Sequence, residues 1–368
     1  MFINGYAASE IIEIAMSSTI TDIHAEQRLA RAIGRKALTR RLNMLRGISM
    51  LAACLFLAPL ASDAQPPGKI PRVGILTAVT APTTELVHAV FRQRLRELGY
   101  VEGQHIVLES RSAEEQYERL PALAAQLVAL PVDVLVTWGT PATVAAKQAT
   151  STVPIIFLAV ADPVGWGIVA SLARPGGNVT GVTNLSAELS AKLLELLKEV
   201  VPGLTQIAVL RNPRNPASAP QLQWTEFAAQ SLGMQLQVVD VRAPSEFEAA
   251  FLSMTREHTG ALIMLADTMF LNQRRQIADL AVKHRLPAMF NLREYAEAGG
   301  LIAYGPRLAD QWRRIVEFVD KILKGARPAE LPVEQPMRFE LVINLKTAQA
   351  LGVTIPPSVL FQANEVIR

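Results

Sequence analysis

From Pro71 onward the chain alternates two kinds of segment, and that alternation leaves few folds open. Short, nearly all-apolar runs such as "RVGIL" (72–76), "VDVLVTW" (132–138), "VPIIFLAV" (153–160) and "GALIMLAD" (260–267) are separated by segments of helical period. In "TELVHAVFRQRLRELGY" (84–100), Leu86, Val87, Val90, Phe91, Leu95 and Leu98 recur at helical spacing. Strands apolar on both faces, joined by amphipathic helices, make parallel sheets covered on both sides. Two Gly-rich stretches, "RPGGNVTGV" (174–182) and "AGGLIAYGP" (298–306), break the rhythm, and the α/β pattern resumes after the first. The expected fold class is therefore α/β, with two doubly wound parallel-sheet lobes joined by hinge crossings.

The N-terminus is of another kind. "RRLNMLRGISMLAACLFLAPLASDAQ" (40–65) places Arg40, Arg41 and Arg46 before an apolar run too short to span a bilayer comfortably, then Ser62 and Ala64 before Gln65. This is the pattern of a secretory signal cut after Ala64, which implies a periplasmic protein. "LAAC" (51–54) offers a second reading, a lipobox cut before Cys54 with a lipid anchor on that cysteine. Residues 1–43 precede the signal, so either Met44 is the true start or this piece is a long n-region. A helix-turn-helix there lacks its tight turn, with Gly34 the sole candidate.

Charge excludes one class of partner. The formal net charge is +3, and residues 1–64 hold 7 Lys+Arg against 5 Asp+Glu, so the body is almost neutral. A nucleic-acid binder needs a basic face. Cys54 is the one cysteine, so the body has no disulfide and no thiol nucleophile. His88, His105, His258 and His284 are scattered without ligand spacing, which predicts no metal site and no cofactor. No G-x-S-x-G or P-loop is present, and no nucleophile–base pair stands out.

Strand ends carry the functional candidates, because ligands of open α/β sheets bind outside the carboxyl ends of the strands. At "WGTP", Trp138 ends a strand, Gly139 turns, Thr140 is placed to cap a helix and Pro141 to sit at its first position. An uncompensated helix N-terminus attracts anions, although an ordinary βα turn looks the same. Asp162, Asn212 and Asp267 close other strands as turn caps or ligand contacts, and Tyr304 lies in the second break. Gly165-Trp166-Gly167-Ile168-Val169-Ala170 matches a dinucleotide fingerprint, but Pro163 separates it from its strand and no acidic strand end follows.

The segments "ELGYVEGQ", "GTPATVAAK", "DPVGWGIVASLARPGGNVTGVT", "EYAEAGGLIAYGP" and "LPVEQPMRFELVINLKTAQALGVTIPPSVL" resemble the substrate-binding proteins of bacterial ABC importers, in the branch that includes tryptophan/tyrosine binders. The resemblance runs from Pro71 to about Ile367. It implies a type I periplasmic binding protein fold, with lobe 1 formed by 70–182 plus 303–326 and lobe 2 by 183–302 plus 327–368. It also implies a cleft lined by Thr77, Thr80, Trp138, Gly139, Thr140, Asp162, Asn184, Asn212, Asp267 and Tyr304. The partners implied are a small ligand, an ABC permease and its ATPase subunit. In "ADTMF" (266–270) the chain departs from the Pro-Asp-Pro turn of relatives, which leaves the placement of Asp267 open. Within this reading the helix start at Gly139–Thr140 would hold a ligand carboxylate, Asp162 or Asp267 an amino group, and Trp138 and Tyr304 an apolar side chain. The alternatives are a ligand-binding sensor partner of a membrane receptor and a two-lobed α/β enzyme.

Overall fold

The computed structural model describes residues 69–184 and 186–368; the expected signal peptide, Cys54 and the alternative start at Met44 lie outside them. Among the described residues no helix is long and apolar enough to cross a membrane.

The first sheet contains β1 (Arg72–Thr77), β2 (Val107–Ser112), β3 (Val134–Trp138), β4 (Ile155–Val160) and β5 (Val179–Thr183), ordered β2-β1-β3-β4-β5. All four pairings are parallel. The connections include α1 (Ala81–Glu97), α2 (Leu120–Ala129) and α3 (Thr140–Ala149). β3 is buried at every position, as its unbroken apolar run requires, whereas β2 at the edge carries Glu109 and Arg111 and is half-buried throughout.

The second half begins with α4 (Ser186–Val200), β6 (Gln206–Arg211), α5 (Ser218–Ser231), β7 (Gln235–Asp240), α6 (Phe247–Arg256) and β8 (Ala261–Met264). It continues with the short α7 (Thr268–Asn272), α8 (Arg274–Lys283), β9 (Ala288–Phe290), α9 (Arg293–Glu297) and β10 (Ile302–Pro306). The chain then forms α10 (Leu308–Leu323), β11 (Phe339–Asn344), α11 (Leu345–Leu351), α12 (Pro357–Gln362) and β12 (Glu365–Ile367). The sheet order is β12-β11-β10-β9-β8-β6-β7, so its parallel part repeats the order of the first sheet. β11 is the exception and runs antiparallel to β10. In both sheets the winding reverses beside an equivalent strand, β3 in one and β8 in the other, which is where such sheets open a crevice.

Both Gly-rich breaks prove to be strands. β5 and β10 take part in their sheets, and glycine is there because a neighbouring backbone leaves no room for a Cβ. One built on Gly305 would stand 1.8 Å from the Asn291 carbonyl oxygen. The crossings fall after Thr183, at Arg307 and at residues 335–338. β10 thus belongs to the second sheet, although 303–306 were expected in lobe 1. Residues 327–334 were expected in lobe 2, yet Glu334 bridges Val182, and Val333 packs in the first sheet's core.

Helix α10 returns to the first sheet. Its buried Trp312, Ile315, Val316, Val319 and Ile322 form the stripe that docks it. Trp312 meets Trp138 edge-on, with ring centroids 5.5 Å apart and planes at 89°. One apolar core therefore reaches from β3 through α10 to α7 and β8, carrying Trp138, Trp312, Phe270 and Met264 together.

Candidate functional site

A cavity of about 100 Å3 lies between the carboxyl ends of the two sheets. From the first half it takes Trp138, Gly139, Thr140, Pro141 and Ala159, and at the crossing Asn184. From the second it takes Ile263 and Met264 at the end of β8, Leu265–Thr268 after it, Asn291 and Leu292 after β9, Tyr295 of α9, and Leu308 and Gln311 of α10.

Gly139, not Thr140, caps α3, with φ +84° and ψ 161°, a region open in practice to glycine alone. Thr140 is the first helical residue and Pro141 the second, one position later than expected. The Thr143 hydroxyl donates to the Gly139 carbonyl at 2.9 Å, and the Ala161 N–H donates to Thr140 Oγ1 at 3.3 Å, so the turn is fixed from two sides. No side chain caps this helix, and its first-turn N–H groups are left at the cavity wall. A Cβ on Gly139 would meet nothing closer than 3.8 Å, so strain comes from the backbone alone. Gly139→Ala is expected to cost about 1–3 kcal/mol in urea denaturation; a loss below a few tenths would show that this turn relaxes freely.

Asp267 answers Gly139 from the other sheet. It caps α7 by accepting from the Met269 N–H at 2.8 Å. Its carboxylate also accepts from Tyr117 Oη at 2.9 Å, Asn215 Nδ2 at 2.9 Å and, more weakly, Asn212 Nδ2 at 3.3 Å. The Thr268 hydroxyl lies 3.0 Å from Tyr117 Oη, so that oxygen can accept while its proton goes to Asp267. The surface Asp267 retains opens on the cavity, and enclosure elsewhere raises its pKa, with the donors from Asn215, Tyr117 and Met269 pulling the other way. Burial first, then the nearby Asp267 charge, holds the Tyr117 phenol well above its ordinary range. Tyr117 was not anticipated from the sequence; it stands in a short helical turn after β2, where nothing in the pattern marks it.

Other bonds join the two halves around the rim. Glu115 accepts from Asn272 Nδ2 at 2.9 Å and Gln273 Nε2 at 3.1 Å, the Thr80 N–H donates to Asn272 Oδ1 at 3.3 Å, and Arg214 pairs with Glu118. These contacts tie the two halves together beside the cavity.

Of the expected residues, Trp138, Gly139, Thr140, Asn184 and Asp267 line the cavity, and the rest do not. Asp162 turns back to accept from the Gly165 N–H at 2.8 Å, so the turn-capping alternative describes it. Tyr304 stacks on Phe339, 5.8 Å between centroids. Asn212 supports Asp267 from behind, Thr80 sits on the rim, and Thr77 is fully buried at the end of β1. The stretch after Gly165 forms no helix, which removes the dinucleotide motif's phosphate-binding element. Among the described residues no cluster of His, Cys, Asp or Glu could hold a metal.

A cavity between the matching ends of two mainly parallel sheets is the arrangement of the periplasmic binding protein-like fold. The sequence matches the family "ABC transporter substrate binding protein" over residues 72–367, and the chain belongs to that family. It is 26% identical to a tyrosine-binding protein of Clostridioides difficile over 280 residues, 76% of this chain and 80% of that protein. A conserved domain protein from Vibrio cholerae superposes with a TM-score of 0.76 at 28% identity, covering 81% of this chain and all of that one. A Streptococcus domain in complex with L-Trp gives a TM-score of 0.73 at 28% identity, covering 81% and 99%.

Proposed function

We propose that this protein is the extracytoplasmic solute-binding component of an ABC importer, that it binds a free amino acid with a large apolar or aromatic side chain, and that it delivers this ligand to a permease. One observation carries the reading: a single cavity sets the uncapped start of α3 beside the carboxylate of Asp267, with no Lys, Arg or His among the described residues of its wall. An amino acid zwitterion has opposite charges a few ångströms apart. The helix terminus suits its carboxylate and the Asp267 field its ammonium. Leu189, Leu193, Ile263, Leu265 and Trp138 supply the apolar surface for the side chain. The relatives that bind tyrosine and L-Trp support the same ligand class. Export rests on the signal pattern before Gln65. The wall brings no nucleophile and base together, which fits capture rather than turnover.

A thermal-shift panel of amino acids, small carboxylates and sugars tests the ligand class. A ligand at a hundred times its Kd adds roughly 2.7 kcal/mol, which is a shift of a few degrees at this size. Hits are expected among the larger apolar and aromatic amino acids; hits confined to ligands without a carboxylate would overturn the role of α3. The same complex has a signed pH dependence. Burial raises the pKa of Asp267 above its ordinary 3.8 in the free protein, and a ligand ammonium lowers it again in the complex. Affinity is thus complete above the free-protein pKa and falls, by at most tenfold per pH unit, as the pH drops through it. Titration calorimetry that found tighter binding in acid would refute the ammonium assignment.

A further inference from the structure

Like charges placed directly opposite each other on paired strands destabilise the pairing. The second and third crossings set up such a pair. In the antiparallel ladder of β10 and β11, Ile302 faces Ile343 and Pro306 faces Phe339. Carried one step on, that register sets Arg307 opposite Arg338, and opposite residues of such a ladder share a face. Both arginines line one groove of about 840 Å3 beside the crossings.

The acids of this groove are largely spent on other partners. Glu317 and Glu334 both pair with Arg314, and Glu317 also accepts from Arg94 Nη2 at 2.9 Å. Arg313, in the same wall, pairs with Glu97 at 2.7 Å. Arg307 reaches Glu340 with its Nε at 3.2 Å, but that carboxylate already accepts from Arg293 Nη1 at 3.0 Å. Arg338 is exposed and has no acid at ion-pair distance among the described residues. Among the described residues of the wall, Asp310 in the first turn of α10 is the one acid without a basic partner. The guanidinium charge left over therefore exceeds the carboxylate charge left over.

A guanidinium presents its N–H groups in a planar fork that fits two oxygens of one anion. Two forks facing one space suit an oxyanion with more than one charge, and a phosphate has oxygens enough for both. We infer that Arg307 and Arg338 form an oxyanion site of the phosphate kind, separate from the ligand cavity and placed on the crossings between the two halves. An anion there joins the second crossing to the third just past the end of the ladder, where residues 335–338 belong to no strand.

The consequence reaches the cavity. Pro306 and Gln311 line both spaces, so groove and cavity share a wall. Gln311 is buried and cannot swing into solvent to absorb a shift of that wall. Two lobes turn about their crossings. An ion that fixes the crossings as they stand favours the state in which Glu115, Thr80 and Arg214 bond across the rim. By linkage it tightens whatever that state holds, and the cavity ligand tightens the ion by the same factor. This coupling rests on the amino acid reading of the cavity; the ion site does not.

The test is titration calorimetry of the purified protein with inorganic phosphate at mildly alkaline pH, with sodium chloride adjusted to hold the ionic strength constant. Saturable binding at one site is expected. Arg338→Gln should weaken it about tenfold or more, and Arg338→Lys, which keeps the charge and loses the fork, should weaken it less. Arg256→Gln alters an exposed arginine at the end of α6, on the side where β8 begins, and should leave phosphate binding unchanged. An unchanged melting profile in the absence of phosphate shows that each variant is folded. L-tryptophan is then titrated with and without saturating phosphate. Its affinity should rise about fivefold or more with phosphate in the wild type and stay level in Arg338→Gln. No saturable phosphate binding, or binding that Arg338→Gln leaves intact, overturns the site. Phosphate binding that leaves the L-tryptophan affinity unmoved overturns the coupling alone. L-tryptophan that binds under neither condition overturns the amino acid reading and the coupling together, and leaves the site standing on its phosphate titration.

Discussion

Asp267→Ala is expected to lower the stability of the folded protein by about 3–5 kcal/mol, a loss typical of breaking a buried charged network. The side chain caps α7 through the Met269 N–H and accepts from Tyr117, Asn215 and Asn212. Removing the carboxylate relieves the cost of enclosing a charge. Against that, it strands donors on three side chains that are themselves at most 9% exposed. Hydrogen bonds to a charged group contribute about 1.5–3 kcal/mol each and the helix cap about 1 kcal/mol, so the losses exceed the relief even when cavity water recovers some of them. The same change should abolish amino acid binding measurable by calorimetry, because among the described residues it removes the one carboxylate in the wall. Urea denaturation within 1 kcal/mol of wild type would show that water replaces the network, and the central role assigned to Asp267 in the fold would fail.

Gly305→Ala should be as damaging for a steric reason. The added Cβ would fall 1.8 Å from the Asn291 oxygen and 2.8 Å from its carbonyl carbon, both backbone atoms at the end of the neighbouring strand. Ordinary overpacking costs about 1–3 kcal/mol because side chains can shift. Here β9 and β10 must part, so a loss of about 3 kcal/mol or more is expected. Asn291 and Pro306 line the cavity, so ligand affinity should fall along with stability. Gly177→Ala is the control, since nothing lies within 4 Å of its added methyl. Equal melting temperatures for the two variants would dispose of the argument.

The parts of the fold legible in the sequence were those in which one physical requirement dominates. β3 and β4 announce themselves because a strand covered on both faces must be apolar throughout. β5 and β10 escaped the same reading because Gly181 and Gly305 answer to a neighbouring backbone and not to strand propensity, and a period-based reading takes such glycines for breaks. β12 spans three residues, too few to show a period. In the site, Trp138, Gly139, Thr140 and Asp267 were legible because a residue just past a parallel strand must face the crevice side of its sheet. That rule fixes the end of the sheet but not the direction of the side chain, and so Asp162 and Tyr304 were expected in the wall but lie outside it. Gln221, Thr225 and Ser190 come from helix faces, where helical spacing signals burial and is silent about what is buried against it. The available clue was chemical: Gln221 and Thr225 are polar residues one helical turn apart on the face that the helix buries.

The rim bonds of Glu115, Thr80 and Arg214 join protein to protein, and none involves a residue that lines the cavity. In a receptor that shuts on its ligand, such bonds contribute the same free energy whatever has been captured. They act as a common multiplier on every affinity, about tenfold for each 1.4 kcal/mol, and cancel from any ratio of two affinities. Selectivity and tightness are thereby carried by different residues. Evolution can adjust the rim to match the ligand's abundance in the surroundings while the walls, and so the choice of ligand, stay as they are.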